Sequence, residues 1–167
     1  MQDYQDNYIG KIVQAIKGST NPNLKFSLVI EPDLFPNLIT NNNQGHPKCM
    51  DFFKKGYIEG IPYAVAQLST LANTFVYMDG GNAGWLGSEA FSEAYANMMA
   101  DILKKAKALN PNSKITGFTT GVSNYEPYDS KGIAMATQDC PASAIETKDG
   151  LSTVHTLYFI LFNFNLV

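Results

Sequence analysis

The alternation of helical and strand-like stretches constrains this chain more than any other feature. Up to about residue 120, apolar residues recur at helical spacing in three stretches, and each stretch is followed by a short β-prone run. The order α-β-α-β-α-β is typical of a parallel sheet whose strands are joined by helical crossovers. The 167 residues suit a single domain, so the sequence predicts one α/β unit.

The apolar spacing also predicts where each element begins and ends. Helices are expected at about residues 3–17, 50–71 and 88–107, and strands at 25–31, 75–79 and 114–120. The continuous apolar run of the first strand predicts burial on both faces. Gly18 is expected to end the first helix in the left-handed conformation, and residues 32–45 are expected to form a loop. Glycines and a proline predict a kink or break in the second helix, at Gly56, Gly60 and Pro62.

Charge and hydropathy exclude several classes of function. The net charge is −3, and residues 104–107 hold the only cluster of lysines, so a nucleic-acid partner is not expected. No run of eighteen apolar residues exists, so no membrane partner is expected either. The first residues are polar and acidic, unlike a signal peptide. Cys49 and Cys140 could pair with each other, pair with other partners or stay free.

Polar side chains follow each predicted strand. The carboxyl ends of parallel strands share one edge of a sheet, so these side chains are expected to lie on one rim. Carboxyl groups supply the acid and base for glycosidic cleavage, an indole stacks on a sugar ring, and amides bridge hydroxyl groups. The alternative is structural, with the acidic residues capping a turn and the indole filling the core. The rim candidates are Glu31, Asp33, Asp79, Asn82, Trp85, Thr119, Thr120, Ser123 and Asn124.

Two other kinds of site fit the sequence poorly. The glycine loop 80–87 lies between a strand and a helix but lacks the G-x-G-x-x-G pattern, and Asp79 ahead of it would repel phosphate. His46 and Cys49 have the spacing of metal ligands, but no second pair accompanies them. Neither a dinucleotide nor a metal site is therefore expected.

Three motifs, in order, resemble the glycoside hydrolase family 6 cellulases. Residues 28–33 read LVIEPD and are followed by NLITN at 37–41 and PKC at 47–49. Residues 77–87 read YMDGGNAGWLG, and residues 117–125 read GFTTGVSNY. The family patterns are V-I-E-P-D, N-L-V-T-N, P-K-C, Y-L-D-A-G-H-A-G-W-L-G and G-x-x-T-N-V-x-N-Y. The resemblance covers roughly residues 3–128.

The resemblance implies an activity and a set of roles. Members of the family hydrolyse β-1,4-glucan with inversion, on a distorted β/α barrel. Asp33 matches the general acid, whereas Asp79, Trp85 and Asn124 match residues that shape the cleft or bind sugar. Asn82 stands where the family has histidine, and it is expected to bind substrate as an uncharged group. No cofactor or metal is implied, the partner is cellulose or cello-oligosaccharides, and the expected location is extracellular.

The resemblance also predicts how the chain is organised. Residues 1–128 are expected to be the central part of a family 6 catalytic domain, and 129–167 a divergent C-terminal segment. A complete barrel needs about 250 residues, so the expected fold is a partial barrel. The family's acidic loop on the preceding strand, which pairs with Cys49, and the loop that carries its other candidate base have no counterpart here. A catalytically inactive glucan-binding remnant is therefore the alternative to an active hydrolase.

Overall fold

The computed structural model describes residues 1–40, 50–51, 54–81 and 89–119. Its helices are α1 (Gly10–Lys17), α2 (Leu34–Thr40), α3 (Ile61–Leu68) and α4 (Glu89–Leu109), and two π-helical segments cover Tyr4–Ile9 and Gly56–Gly60. Its strands are β1 (Phe26–Ile30), β2 (Thr74–Asp79) and β3 (Gly117–Thr119). The predicted alternation of helices and strands is confirmed. Within the described ranges, no helix is both long enough and apolar enough to span a membrane.

The three strands form one sheet in the order β1-β2-β3. β1 pairs with β2 in parallel, in a register that sets Phe26 opposite Thr74 and Ile30 opposite Met78. The Thr116 amide donates to the Val76 carbonyl, and the Gly80 amide donates to the Thr119 carbonyl. From the first bond to the second, the residue number increases on both sides, from 76 to 80 and from 116 to 119, so β3 also runs parallel to β2. The carboxyl ends of all three strands consequently share one edge, as the sequence predicts.

The chain divides into two compact units. The first contains Met1–Glu31, Gln44–Met78 and Met99–Gly117, and the second contains Pro32–Asn43, Asp79–Met98 and Phe118–Val167. The core of the first unit is aliphatic and includes the fully buried Val65, Val76 and Ile102. The core of the second unit is built around the rings of Phe35 and Tyr95, and it encloses the acidic side chain of Asp79. The first unit therefore has an aliphatic core, whereas the core of the second unit combines aromatic rings with a buried carboxyl group.

The predicted irregularity of the second helix is a π-helical turn. The Ile61 amide donates to the Gly56 carbonyl, five residues earlier, and the regular helix α3 then begins with Pro62 in its first turn. Proline cannot donate the N–H that would continue a helical ladder, and the wide turn before it is where the helix accommodates that missing bond. The first π-helical segment ends the same way, with the Gly10 amide donating to Gln5. Periodicity at 3.6 residues per turn does not reveal such single wide turns.

Four expectations about the elements were wrong. Gly18 has a φ of −77°, in the right-handed region, because its amide continues the helical ladder to the Gln14 carbonyl. Residues 34–40 of the expected loop form α2. β1 lies at the sheet edge and is only half-buried, with Ile30 as its one buried residue. β3 begins at Gly117 rather than residue 114, since the hydroxyl of Thr116 takes the Val76 amide where a strand would offer a carbonyl.

Candidate functional site

A strained turn follows β1 and leads into α2. Glu31 and Asp33 both have positive φ values, 42° and 68°, on either side of Pro32. Residues with a Cβ adopt this left-handed region at a cost of roughly 1–3 kcal/mol, and such strain clusters at functional sites. The carbonyl of Asp33 accepts hydrogen bonds from the Asn37 amide at 3.1 Å and its side-chain Nδ2 at 2.9 Å. The Asp33 backbone therefore starts α2 and leaves the carboxylate at the end of β1.

A buried aspartate holds this turn from the neighbouring strand. Asp79 ends β2 and is only 1% exposed. Its Oδ2 accepts a hydrogen bond from the Asp33 amide at 2.6 Å, and its Oδ1 accepts one from the Gly81 amide at 3.2 Å. Gly81 has a φ of 61°, which glycine adopts without strain. We call Asp33, Asp79 and Gly81 the carboxylate corner, because one side chain there organises two left-handed backbone positions.

Burial has the largest effect on the pKa of the Asp79 carboxyl group. Removal from water raises the pKa of its carboxyl group, and the two amide hydrogen bonds lower that pKa without cancelling the effect of burial. The neighbouring charge of Asp33 raises the pKa of Asp79 further. A carboxyl group whose charged form is disfavoured can hold a proton at a pH where an exposed aspartate cannot. Perturbed carboxylates of this kind mark candidate sites for acid–base chemistry.

Tyr95 completes the corner, and it is a residue for which the sequence pattern predicted no role in the site. Its hydroxyl donates a hydrogen bond to the backbone carbonyl of Asp79 at 2.7 Å, and its side chain is fully buried. The ring lies edge-on to Phe35 and Phe118, at centroid distances of 6.4 and 6.1 Å. A signal was available in the sequence, because a tyrosine at a core position must find a partner for its hydroxyl.

Glu31, another predicted rim residue, binds a different tyrosine. The Tyr4 hydroxyl donates to Glu31 Oε1 at 2.8 Å, within the first unit. Burial raises the pKa of Tyr4, and the bond to the Glu31 carboxylate raises it further, so the phenol stays protonated. Tyr4 and Glu31 also line a cavity of about 230 Å³ between the first helix and β1. Glu31 is thus committed to a structural hydrogen bond in this unit.

The predicted site residues divide into two groups. Asp33 and Asp79 are described and lie in direct contact, at the carboxyl ends of neighbouring parallel strands. Asn82, Trp85 and Asn124 lie outside the described residues, as do Cys49 and Cys140. Thr119 is described, and its buried hydroxyl has no hydrogen-bond partner among the residues that the structure describes. Within the described part of the chain, no group of three or more His, Cys, Asp or Glu residues could hold a metal ion.

These features define a class of protein before any relative is considered. The chain is a parallel α/β fold with a pair of carboxylates on the carboxyl edge of its sheet, the place where barrels and open sheets of this type bind ligands. The described part of that edge carries acidic side chains, which suit the acid–base chemistry of an uncharged substrate better than phosphate binding.

Comparison with known proteins identifies the family. The model of glycosyl hydrolases family 6 matches residues 1–151. Exoglucanase 2 of Hypocrea jecorina is 39% identical over 123 residues, which cover 74% of this chain and 24% of that protein. Endoglucanase-6B of Humicola insolens is 34% identical over 125 residues, which cover 75% and 33%. The chain therefore belongs to glycosyl hydrolase family 6, and it spans about a quarter to a third of these relatives.

Solved structures agree with the fold. The catalytic core domain of the cellobiohydrolase Cel6A from Chaetomium thermophilum superposes with a TM-score of 0.76 at 26% identity, covering 99% of this chain and 41% of that one. Endoglucanase CEL6B from Humicola insolens superposes with a TM-score of 0.66 at 32% identity, covering 77% and 34%. The expectation of a partial α/β barrel is confirmed. The boundary between residues 1–128 and 129–167 stays a prediction.

Proposed function

We propose that this chain carries the general acid of a β-1,4-glucan hydrolase. The observation that carries the proposal is the 2.6 Å hydrogen bond from the Asp33 amide to Asp79, at the carboxyl ends of adjacent strands. That bond fixes the backbone of Asp33 in a left-handed conformation while its own carboxyl group remains free of it. Glycosidic cleavage requires a carboxylic acid that is held in place to protonate the leaving oxygen.

The proposed step is protonation of the leaving oxygen by Asp33. As the bond between the anomeric carbon and that oxygen breaks, the proton of Asp33 moves to the departing oxygen. Water adds to the opposite face of the ring and gives its own proton to the general base that an inverting site also contains. The anomeric configuration is thereby inverted. Inverting enzymes use two carboxyl groups about 6.5–9.5 Å apart. Asp79 contacts the Asp33 backbone directly, so we assign it to shaping the site rather than to the role of base.

We further propose the substrate and its contacts. Cellulose or a cello-oligosaccharide would lie along the carboxyl edge, with Trp85 stacking on a glucosyl ring and with Asn82 and Asn124 bonding its hydroxyl groups. The curated relatives named above are an exoglucanase and an endoglucanase, which supports a glucan as substrate. Because cellulose is an insoluble polymer, the proposed site of action is extracellular.

Removal of the acid tests the proposed step. Asp33→Asn, made in the protein that carries this chain, should lower turnover of unactivated glucan by about 10²–10⁴-fold, the usual contribution of general acid catalysis. The loss should be much smaller on a glucosyl fluoride, because fluoride leaves with little protonation. Asp101→Asn is the matched control, since Asp101 lies on the exposed side of α4, and it should leave both rates unchanged. Equal losses on the two substrates would exclude Asp33 as the acid, and binding to cellulose without any wild-type hydrolysis would favour the glucan-binding remnant.

A further inference from the structure

One peptide group at the end of β2 is held on both sides. The carbonyl of Asp79 accepts the Tyr95 hydroxyl at 2.7 Å. The amide of Gly80, which belongs to the same peptide group, donates to the Thr119 carbonyl, also at 2.7 Å. A peptide group is planar, so two hydrogen bonds at opposite ends fix its orientation. One of these bonds is ordinary strand pairing, whereas the other depends on a single side chain.

The orientation of this peptide group sets the direction of the Asp79 side chain. Rotation of the group turns the Cα of Asp79, and with it the carboxylate that receives the Asp33 and Gly81 amides. The bond to Asp33 is short, at 2.6 Å, and its acceptor is a carboxylate, which makes it a strong hydrogen bond. It also restrains a residue with a φ of 68°, whose backbone would otherwise relax. A small rotation at Asp79 is therefore transmitted to Asp33.

The position of the Tyr95 hydroxyl is itself fixed by packing. The side chain is completely buried, and Phe35 and Phe118 contact the ring edge-on. Both contacts lie in the same unit as the carboxylate corner. A ring enclosed in this way has little freedom to tilt, so its hydroxyl acts as a fixed donor rather than an adaptable one.

We infer that Tyr95 is a positioning residue for Asp33, acting through the Asp79–Gly80 peptide group and the Asp79 carboxylate. The catalytic part of this inference rests on the proposed function of Asp33. The geometric part does not, because it concerns only how the Tyr95 hydroxyl orients the Asp79 carboxylate, which binds the amides of Asp33 and Gly81. The competing explanation is that Tyr95 fills the core and its hydroxyl merely donates to the nearest carbonyl group.

The Asp33 amide resonance distinguishes the two explanations. In ¹⁵N-resolved spectra, an amide proton bound to a carboxylate lies far downfield, and its position follows the strength of the bond. Tyr95→Phe keeps the ring and removes the hydroxyl, so it should move the Asp33 amide proton upfield. Ile102→Val removes one methyl group from the buried core of the first unit and does not touch the hydroxyl, so it should lower stability while leaving that resonance in place. Tyr57→Phe, which removes a tyrosine hydroxyl bound to Asp101, should leave the resonance unmoved as well.

A second substitution keeps the test independent of the stability of Tyr95→Phe. Placing 3-fluorotyrosine at position 95 retains the ring and makes the hydroxyl a stronger donor, so the Asp33 resonance should change in the direction opposite to that of Tyr95→Phe. The burial of Tyr95, which raises the pKa of its hydroxyl, keeps the group protonated in this experiment. Changes of the same sign in both variants, or none in either, would overturn the inference.

Kinetics test the catalytic consequence. In the protein that carries this chain, Tyr95→Phe should lower kcat on unactivated glucan by about tenfold with KM little changed, since small displacements of a reacting group reduce rates by such factors. Loss of kcat with an unmoved Asp33 resonance, or an equal loss in Ile102→Val, would assign Tyr95 to the core alone. If Asp33→Asn has no effect on turnover, the proposed function fails, and the resonance experiment still decides the geometric role of Tyr95.

Discussion

The carboxylates of Asp79 and Asp101 each accept two hydrogen bonds from described residues, yet their pKa values shift in opposite directions. Asp79 is 1% exposed and is bound by two uncharged backbone amides, and burial raises its pKa. The Asp101 side chain is 39% exposed and accepts bonds from the Lys105 ammonium and, at 2.6 Å, from the Tyr57 hydroxyl. The bond to Lys105, followed by that to Tyr57, lowers the pKa of Asp101. The number of hydrogen bonds therefore does not decide how a carboxyl group titrates.

The two carboxyl groups differ in whether their surroundings disfavour or favour the ionised form. Two neutral amides replace the water around Asp79 only in part, so its ionised form is held at a cost. A cation and continued access to water favour the ionised form of Asp101, with Lys105 also lying 4.7 Å from the Tyr57 ring centroid. Asp79, whose ionised form is disfavoured, lies at the end of a strand in the candidate site, whereas Asp101, whose ionised form is favoured, lies on a helix surface.

Replacing each aspartate with alanine should give the largest difference between the two sites, measured as the loss in free energy of unfolding. Asp79→Ala leaves the Asp33 and Gly81 amides without an acceptor, and buried donors without partners cost about 1–3 kcal/mol each. The free energy of unfolding should fall by roughly 2–4 kcal/mol. Asp101→Ala breaks a partly exposed pair and should change it by less than about 1 kcal/mol. Urea unfolding followed by fluorescence measures both, and equal losses would show that the two sites are energetically alike.

The pH dependence of stability should have opposite signs at the two sites. A raised pKa in the folded state means that the contribution of Asp79 is full below the ordinary value of 3.8 and is lost as pH rises through its folded pKa. A lowered pKa means that the contribution of Asp101 is full above 3.8 and is lost as pH falls through its folded pKa. Carboxyl ¹³C resonances followed from about pH 2 to pH 8 should place the Asp79 midpoint above that of Asp101. The reverse order would remove the basis of the comparison.

Salt should produce the smallest effect, and only at the exposed site. The Debye length falls from about 10 Å at 0.1 M salt to about 3 Å at 1 M. The attraction between Lys105 and Asp101 is screened at the higher concentration, so the pKa of Asp101 should rise towards its ordinary value. Asp79 is enclosed and depends on burial and amide bonds, so its pKa should stay constant. The same ¹³C titration at the two salt concentrations makes the measurement, with Lys105→Met as a control that removes the salt dependence of Asp101.

The order of elements could be predicted from the sequence because each strand is a compact apolar run and each long helix repeats at 3.6 residues. Helix α2 could not, because Pro36 in its first turn and the asparagines after it are typical of a loop. The helix forms because the Asp33 carbonyl offers an acceptor to Asn37, which is a consequence of the left-handed Asp33 backbone. An aspartate adopts that conformation more often than most residues, but still too rarely for local propensity to predict it at a given position.

The site could be predicted as far as its motifs extended. The sequence placed Asp33 and Asp79 after neighbouring strands, and a parallel sheet brings such positions together. It gave no indication that the Asp79 carboxylate would bind the backbone of Asp33, since this contact depends on the direction in which each chain leaves the sheet. No sequence pattern links Tyr95 to Asp79, because sixteen residues separate them and only the packing of α4 joins them.

The left-handed backbone of Asp33 has a consequence for protein engineering. Glycine adopts a φ of 68° without the steric cost that a Cβ imposes, so Asp33→Gly relieves strain where it stands. A library selected for thermal resistance alone will therefore reward loss of the side chain to which we assign the chemistry. If Asp33 has the proposed role, stability and activity favour different residues at this position, and directed evolution must score hydrolysis in every round to retain the aspartate.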